Sequence, residues 1–252
     1  MSGRHAVSLR DVGVRFYVPR RSRLGRTPRL FRARRWHHWG LRHATVDVEH
    51  GEVVGLVGPN GSGKTTMLRV VSGIFRPDEG SIRVAGRVAP ILSLTGGLEN
   101  ALSGWENVAL SGILLGLSHA ETREVGPAVA EFAGIGDEFM DAPVRVYSSG
   151  MRARLGFAIA AFSRPDILAL DEVLSVGDEE FKERSRQKIL EMMRADHTVL
   201  IASHDVEEIV AFCDRLVRIE QGEIVEIGPA EGVAERYLAD HGRAGRSAHG
   251  RR

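Results

Sequence analysis

The sequence predicts a mixed α/β domain carrying a helical insertion, and three observations predict it. Short apolar runs of the buried-strand type, VVGLV at 53–57, DILAL at 166–170 and TVLIAS at 198–203, are separated by stretches with helical spacing. A glycine-rich loop, GPNGSGKT at 58–65, joins the first of these runs to the helical stretch TTMLRVVSGIF. From about Gly97 to Phe162 the chain changes to helical pieces punctuated by glycine.

The elements follow in order. VSLRDVGVRFY, 7–17, alternates in part and reads as a strand. An arginine-rich segment follows, with Arg20, Arg21, Arg23, Arg26, Arg29, Arg32, Arg34 and Arg35. Trp36 and Trp39 stand three apart, which puts both indoles on one face if that segment is helical. Leu41 to Glu49 alternates again. TTMLRVVSGIF stops at Arg76-Pro77, with turn chemistry in PDEG, and SIRVAGRVAPILSL reads as two short strands. Glu179 to Arg194 suits a solvated helix, and VRIEQGEIVEIG a hairpin turning at Gln221-Gly222. AERYLAD is the final helix; residues 241–252, HGRAGRSAHGRR, lack the apolar content to fold and are expected as a disordered basic tail. No internal repeat is present.

Composition limits the function. With 252 residues, 43% of them hydrophobic, the chain builds a core of ordinary size, as one domain with a subdomain. A net charge of +1 gives no general argument for a nucleic-acid partner. Cys213 is the single cysteine, which excludes an intramolecular disulfide and a cysteine-rich zinc site and suits a reducing cytosol. There is no signal-peptide pattern, and LGFAIAAF and ILLGL are far short of the ~20 apolar residues of a membrane span. Work at a membrane therefore calls for a second chain.

The glycine loop carries the chemistry. Gly58, Pro59, Asn60, Gly61, Ser62 and Gly63 let backbone N–H groups curl around phosphates, Lys64 reaches the β- and γ-phosphates, and the Thr65 hydroxyl, followed by Thr66, is placed to ligate Mg²⁺. ILALDE at 167–172 ends an apolar strand in two acids: Asp171 faces the Mg²⁺ site and Glu172 is placed to polarise water as general base. His204 follows the next apolar strand, within reach of a γ-phosphate. YSSGM at 147–151 opens a further helix with a Ser-Ser-Gly step suited to an anion.

Together these segments, from about Leu9 to Gly228, resemble the ATP-binding-cassette (ABC) ATPases. The resemblance implies a P-loop core with a mixed sheet, an antiparallel β subdomain and an inserted helical subdomain at about 97–163, all within residues 1–240. It implies ATP and Mg²⁺ as ligands and a head-to-tail dimer in which Ser148, Ser149, Gly150 and Asp178 of each copy reach the ATP of the other. Ser148 and Gly150 match the family's Leu-Ser-Gly-Gly-Gln, whereas Tyr147, Ser149 and Met151 depart from it. An aromatic residue stacks on adenine, here Phe16 with Tyr17 as the alternative. The family's glutamine ahead of the helical insertion is absent, and Ser93 or Thr95 stands about where it belongs.

YSSGMRARLGFA, DEVLSVGDEEF and LTGGLENALSGWENV resemble, within that family, the ATPase subunits of polysaccharide exporters. This implies ATP hydrolysis by a peripheral subunit at the cytoplasmic face of the membrane, a permease partner and a lipid-linked polysaccharide cargo. The insertion at about 18–40, with Trp36, Trp39 and its arginines, is expected at lipid headgroups or the glycolipid pyrophosphate. No C-terminal carbohydrate-binding domain is expected before Arg252, and no nucleic acid. A drug or lipid exporter, or a soluble non-transport ABC ATPase, are the alternatives.

Overall fold

The structure, a computed structural model, describes residues 5–18, 36–91, 97–171, 178–195, 197–203 and 205–248. In chain order come β1 (His5–Val18), β2 (Trp36–Glu49), β3 (Val53–Val57), α1 (Lys64–Val71), β4 (Glu79–Val84) and β5 (Val88–Ile91). Four helices follow: α2 (Gly104–Leu114), α3 (His119–Ala133), α4 (Asp137–Asp141) and α5 (Ser149–Phe162). The rest comprises β6 (Ile167–Asp171), α6 (Glu179–Arg194), β7 (Thr198–Ala202), α7 (Val206–Val210), β8 (Arg215–Glu220), β9 (Glu223–Pro229) and α8 (Ala230–Ala248).

Among the described residues the strands form two sheets. β3 and β7 are buried along their whole length, and β6 up to its last residue, because helices or the second sheet cover both faces; this is why they read as unbroken apolar runs. They pair in parallel in the order β5-β6-β7-β3-β8, and β9 closes the edge antiparallel to β8. The second sheet is antiparallel, β2-β1-β4. The two strands read from SIRVAGRVAPILSL thus belong to different sheets. Gly86, at φ 122°, makes the switch, and Asp166 accepts the Arg87 N–H at 2.7 Å beside it.

Three cores hold these layers. Leu9, Leu41, Leu56, Met67 and Leu68 seal the antiparallel sheet and α1 onto one face of the larger sheet. Phe157, Phe181, Ile189 and Val233 cover the other face. Val129, Met140 and Leu155 fill the space among α2–α5. Phe132 of α3 joins the last two, its ring 5.6–5.8 Å from those of Phe157, Phe162 and Phe181. Capping boxes at Ser103/Glu106 and Ser118/Glu121 start α2 and α3.

Two expectations change. Trp36–Gly40 is strand, since the ladder with β1 (Arg15↔Trp39, Phe16↔His38, Tyr17↔His37) satisfies its backbone. Positions three apart in a strand fall on opposite faces, so the shared indole face of a helix does not form. Of the insertion expected at about 18–40, residues 36–40 are strand and 19–35 lie outside the described residues. Helix α8 runs on to Ala248, past the point where a tail was expected. Its first turns are anchored through Val233 and Ala234. No described helix is long and apolar enough to cross a membrane.

Candidate nucleotide-binding site

The glycine loop leaves the C-terminal end of β3 and ends at the first turn of α1, capped by Gly63 at φ 119°. Its glycines do two different things. A Cβ on Gly58 (φ 151°) would lie 2.1 Å from the Ile219 carbonyl oxygen, and one on Gly63 would lie 2.5 Å from that of Gly40. Gly61 (φ 78°) faces open space. The first two let backbones touch; the third leaves room for a ligand.

The hairpin tip between β8 and β9 braces the loop from below. Gln221 (φ 51°) and Gly222 (φ 87°) turn it, as the primed turns of tight hairpins require. The Gly222 N–H donates to the Ser62 carbonyl at 2.8 Å, and the Gly222 carbonyl accepts from the Arg42 N–H at 2.7 Å. Lys64 is 6% exposed, and its Nζ donates to the Gly58 and Pro59 carbonyls at 2.7 and 3.1 Å. The Ser62 hydroxyl is buried with no partner inside the protein. A cleft of about 820 Å³ runs along Pro59–Ser62, walled by β2 from His37 to Trp39 with Arg42, and by Gln221 and Glu223. An inward ammonium and an orphaned hydroxyl beside a glycine-rich loop fit a phosphate chain.

Phe16 and Tyr17 fall on opposite faces of β1. A Cβ on Gly40 would lie 2.3 Å from the Phe16 ring and 3.1 Å from Thr66 Oγ1, so ring, glycine and hydroxyl lie together at α1. Phe75 meets the Phe16 ring edge-on at 5.7 Å. Tyr17, next along the strand, belongs to the opposite face and is 55% exposed. On that face the Arg15 guanidinium lies over the Trp39 ring at 4.6 Å.

Asp171 ends β6 level with Ala202 of β7, and Ala202 is level with Leu56 of β3. The carboxylate therefore stands at the same sheet edge as the loop. A hydroxyl at Thr65 and this single carboxylate suit Mg²⁺, which takes few protein oxygens and fills its sphere with phosphate and water. Among the described residues no cluster of three or more His, Cys, Asp or Glu could hold a metal alone. Glu172, His204, Ser93 and Thr95 lie outside the described residues.

Ser148 caps α5: its Oγ accepts the Met151 N–H at 3.1 Å. That engages a lone pair and leaves the hydroxyl proton free to donate outward. Ser148 and Ser149 are exposed and Gly150 half-buried. Asp178 caps α6 in the same way, accepting the Phe181 N–H at 2.9 Å. Its other oxygen meets Arg154 of α5 at 3.3 Å. The sequence reading missed Arg154 and the bracing role of Gly222; the Gln221-Gly222 turn was the visible signal for the second.

Cys213 packs under β3, its Sγ 2.9 Å from where a Cβ on Gly55 would be. Burial first, and the Asp214 charge second, push the thiol up to about 12. It is a packing residue.

A parallel sheet with a phosphate-type loop at the end of a central strand, an antiparallel sheet above it and a helical layer between β5 and β6 define a nucleotide-binding cassette. The ABC transporter family model matches residues 41–175, and the chain belongs to that family. It is 41% identical over 199 residues to the teichoic acids export ATP-binding protein TagH of Listeria monocytogenes serotype 4b (strain F2365), covering 79% of this chain and 59% of that protein. It is 43% identical over 197 residues to the O-antigen export system ATP-binding protein RfbB of Klebsiella pneumoniae, covering 78% and 80%. The chain thus spans under two thirds of the TagH relative and most of RfbB. Among solved structures, the dimeric ATP-binding cassette MJ0796 in a post-hydrolysis state with ADP and Pi matches with a TM-score of 0.69 at 21% identity, covering 89% of this chain and 98% of that one. An ATP-binding subunit of an ABC transporter matches at 0.72 and 20%, covering 92% and 93%. These two show the fold.

Proposed function

We propose that the chain is the ATP-hydrolysing subunit of an exporter that moves lipid-linked polysaccharide across the cytoplasmic membrane. Two copies would work head to tail beneath a membrane permease. The observation that carries this reading is the presence of two separate phosphate-type features on one chain: the braced loop around Lys64, and the exposed, capped helix start at Ser148. One nucleotide has no use for both, whereas a head-to-tail pair does. The export functions in the names of TagH and RfbB support the cargo class.

In this reading Lys64, Ser62 and the loop amides hold the phosphates of ATP, and Phe16 stacks on the base. Ser148 and Gly150 of the second copy donate to the γ-phosphate, and Asp178 lies at the contact. Glu172 takes a proton from water as its oxygen bonds to the γ-phosphorus, the bond to the β–γ bridging oxygen breaks, and ADP and phosphate leave; His204 holds the γ-phosphate. Thr65 and Asp171 would hold Mg²⁺, which when bound would supply charge neutralisation on the phosphate oxygens. Leu110, Ile113 and Leu114 form an exposed apolar stripe on α2, suited to a cytoplasmic segment of the permease.

The test is a pull-down of tagged Glu172→Gln with Mg·ATP from detergent-solubilised host membranes, read by mass spectrometry. A polytopic membrane protein recovered at a 1:1 ratio is the expected result. Ribosomal partners, or no membrane protein at all, would overturn the exporter reading.

A further inference from the structure

Tyr147 stands immediately before the capped start of α5, and the structure gives its side chain a defined place. The side chain is 2% exposed. Its hydroxyl donates to the Phe139 carbonyl of α4 at 2.6 Å, and its ring meets that of Phe139 edge-on at 6.4 Å. A Cβ on Gly104, at the start of α2, would lie 2.5 Å from the same hydroxyl, so the phenol fills a slot that only glycine leaves open. The backbone is held as well. The Tyr147 N–H donates to the Val144 carbonyl at 3.0 Å, and Arg152 donates to the Tyr147 carbonyl at 3.1 Å. The next residue is Ser148.

We infer that Tyr147 is a positioning residue for ATP hydrolysis: its buried hydroxyl, anchored on α4, fixes the direction in which Ser148 and Gly150 are presented to the nucleotide of the second copy. The inference rests on the trans-acting role proposed above for Ser148. An apolar side chain fills a cavity without direction, whereas a hydrogen bond fixes the chain entering α5 to one carbonyl on a neighbouring helix. Burial, with the Asp141 charge adding to it, raises the Tyr147 pKa, so the donor proton stays in place at physiological pH. Ser148 and Ser149 remain exposed while their neighbour is locked, which is what an element that must meet a partner without rearranging requires.

The experiment compares full-length wild type, Tyr147→Phe, Arg152→Met and Ser148→Ala in steady-state ATPase assays at several protein concentrations. Melting temperature and equilibrium ATP binding are measured alongside. Tyr147→Phe keeps the ring and removes one donor, so kcat per folded molecule is expected to fall roughly three- to tenfold, the worth of one neutral hydrogen bond. ATP binding by the isolated subunit stays within about twofold. Arg152→Met, which releases the other anchor, shifts kcat the same way and serves if the first variant folds poorly. A purely structural Tyr147 would lower the melting temperature and leave kcat per folded molecule unchanged; that result overturns the inference. If Ser148→Ala is fully active, the trans role itself has failed. If Ser148→Ala is inactive and both anchor variants are normal, only the Tyr147 inference has failed.

Discussion

Arg154 and Asp178 meet at 3.3 Å, one guanidinium nitrogen on one carboxylate oxygen, and this contact ties the helix that Ser148 begins to the helix that Asp178 begins. The two segments proposed to face a second copy are thereby held in one register. Asp178 is largely exposed, so the ion pair contributes on the order of 0.2–1 kcal/mol, and its value lies in geometry. Asp178→Asn retains a cap for Phe181 and loses the charge; Asp178→Ala loses both, costing about 1 kcal/mol of stability. Both variants are expected to lower ATPase activity to a similar degree while only the alanine lowers the melting temperature. Equal activity for wild type and Asp178→Asn would remove the pair from the mechanism.

The loop glycines separate folding from binding. Gly58→Ala drives a Cβ into the Ile219 carbonyl and is expected to destabilise the chain by about 3 kcal/mol or more, or to prevent folding. Gly61→Ala meets nothing within 4 Å and carries only the cost of its positive φ, about 1 kcal/mol. It should fold and bind ATP more weakly. Urea unfolding midpoints and nucleotide titrations on the same preparations distinguish the two.

Phe16→Ala should weaken ATP binding by roughly tenfold, the order of a lost aromatic stack, while Phe16→Trp retains most of it. Tyr17→Ala, on the opposite face, should leave affinity within about twofold. A larger loss at Tyr17 than at Phe16 would reverse the assignment of the base-stacking residue.

Cys213 gives a pH signature. Its thiol stays neutral in the folded protein up to about 12, whereas an unfolded cysteine ionises near pH ~8.5. The stabilisation is therefore complete below about pH 8.5 and is lost as pH climbs toward about 12. Thermal midpoints between pH 8 and 11 should fall more steeply in wild type than in Cys213→Ala. A thiol reagent at pH 8 should label the native chain slowly and the urea-unfolded chain at once; rapid native labelling would contradict the burial.

The parallel strands, the glycine loop and the Gln221-Gly222 turn were legible because each writes its backbone requirement into a few adjacent residues. The Trp36–Gly40 segment was not, because three-residue spacing of large rings is compatible with either period, and the decision came from pairing with β1. Arg154, Gly104 and the contacts of Tyr147 were invisible for another reason. Their significance lies in contacts between α2, α4, α5 and α6, and no local pattern records which helices meet. Strand alternation puts Phe16 and Tyr17 on opposite faces, but only the contacts at Gly40 and Thr66 show that the Phe16 face looks at α1.

The hydrogen bond from Gly222 to Ser62 has a consequence for how the protein is made. The phosphate loop is translated before the helical layer, but the turn that braces it and the Ile219 carbonyl that Gly58 abuts come after that layer, and β3 cannot complete its pairing until β7 and β8 exist. A nascent chain still short of the β8–β9 hairpin carries the whole loop sequence without its support. The support for the loop therefore arrives only after the helical layer has emerged from the ribosome.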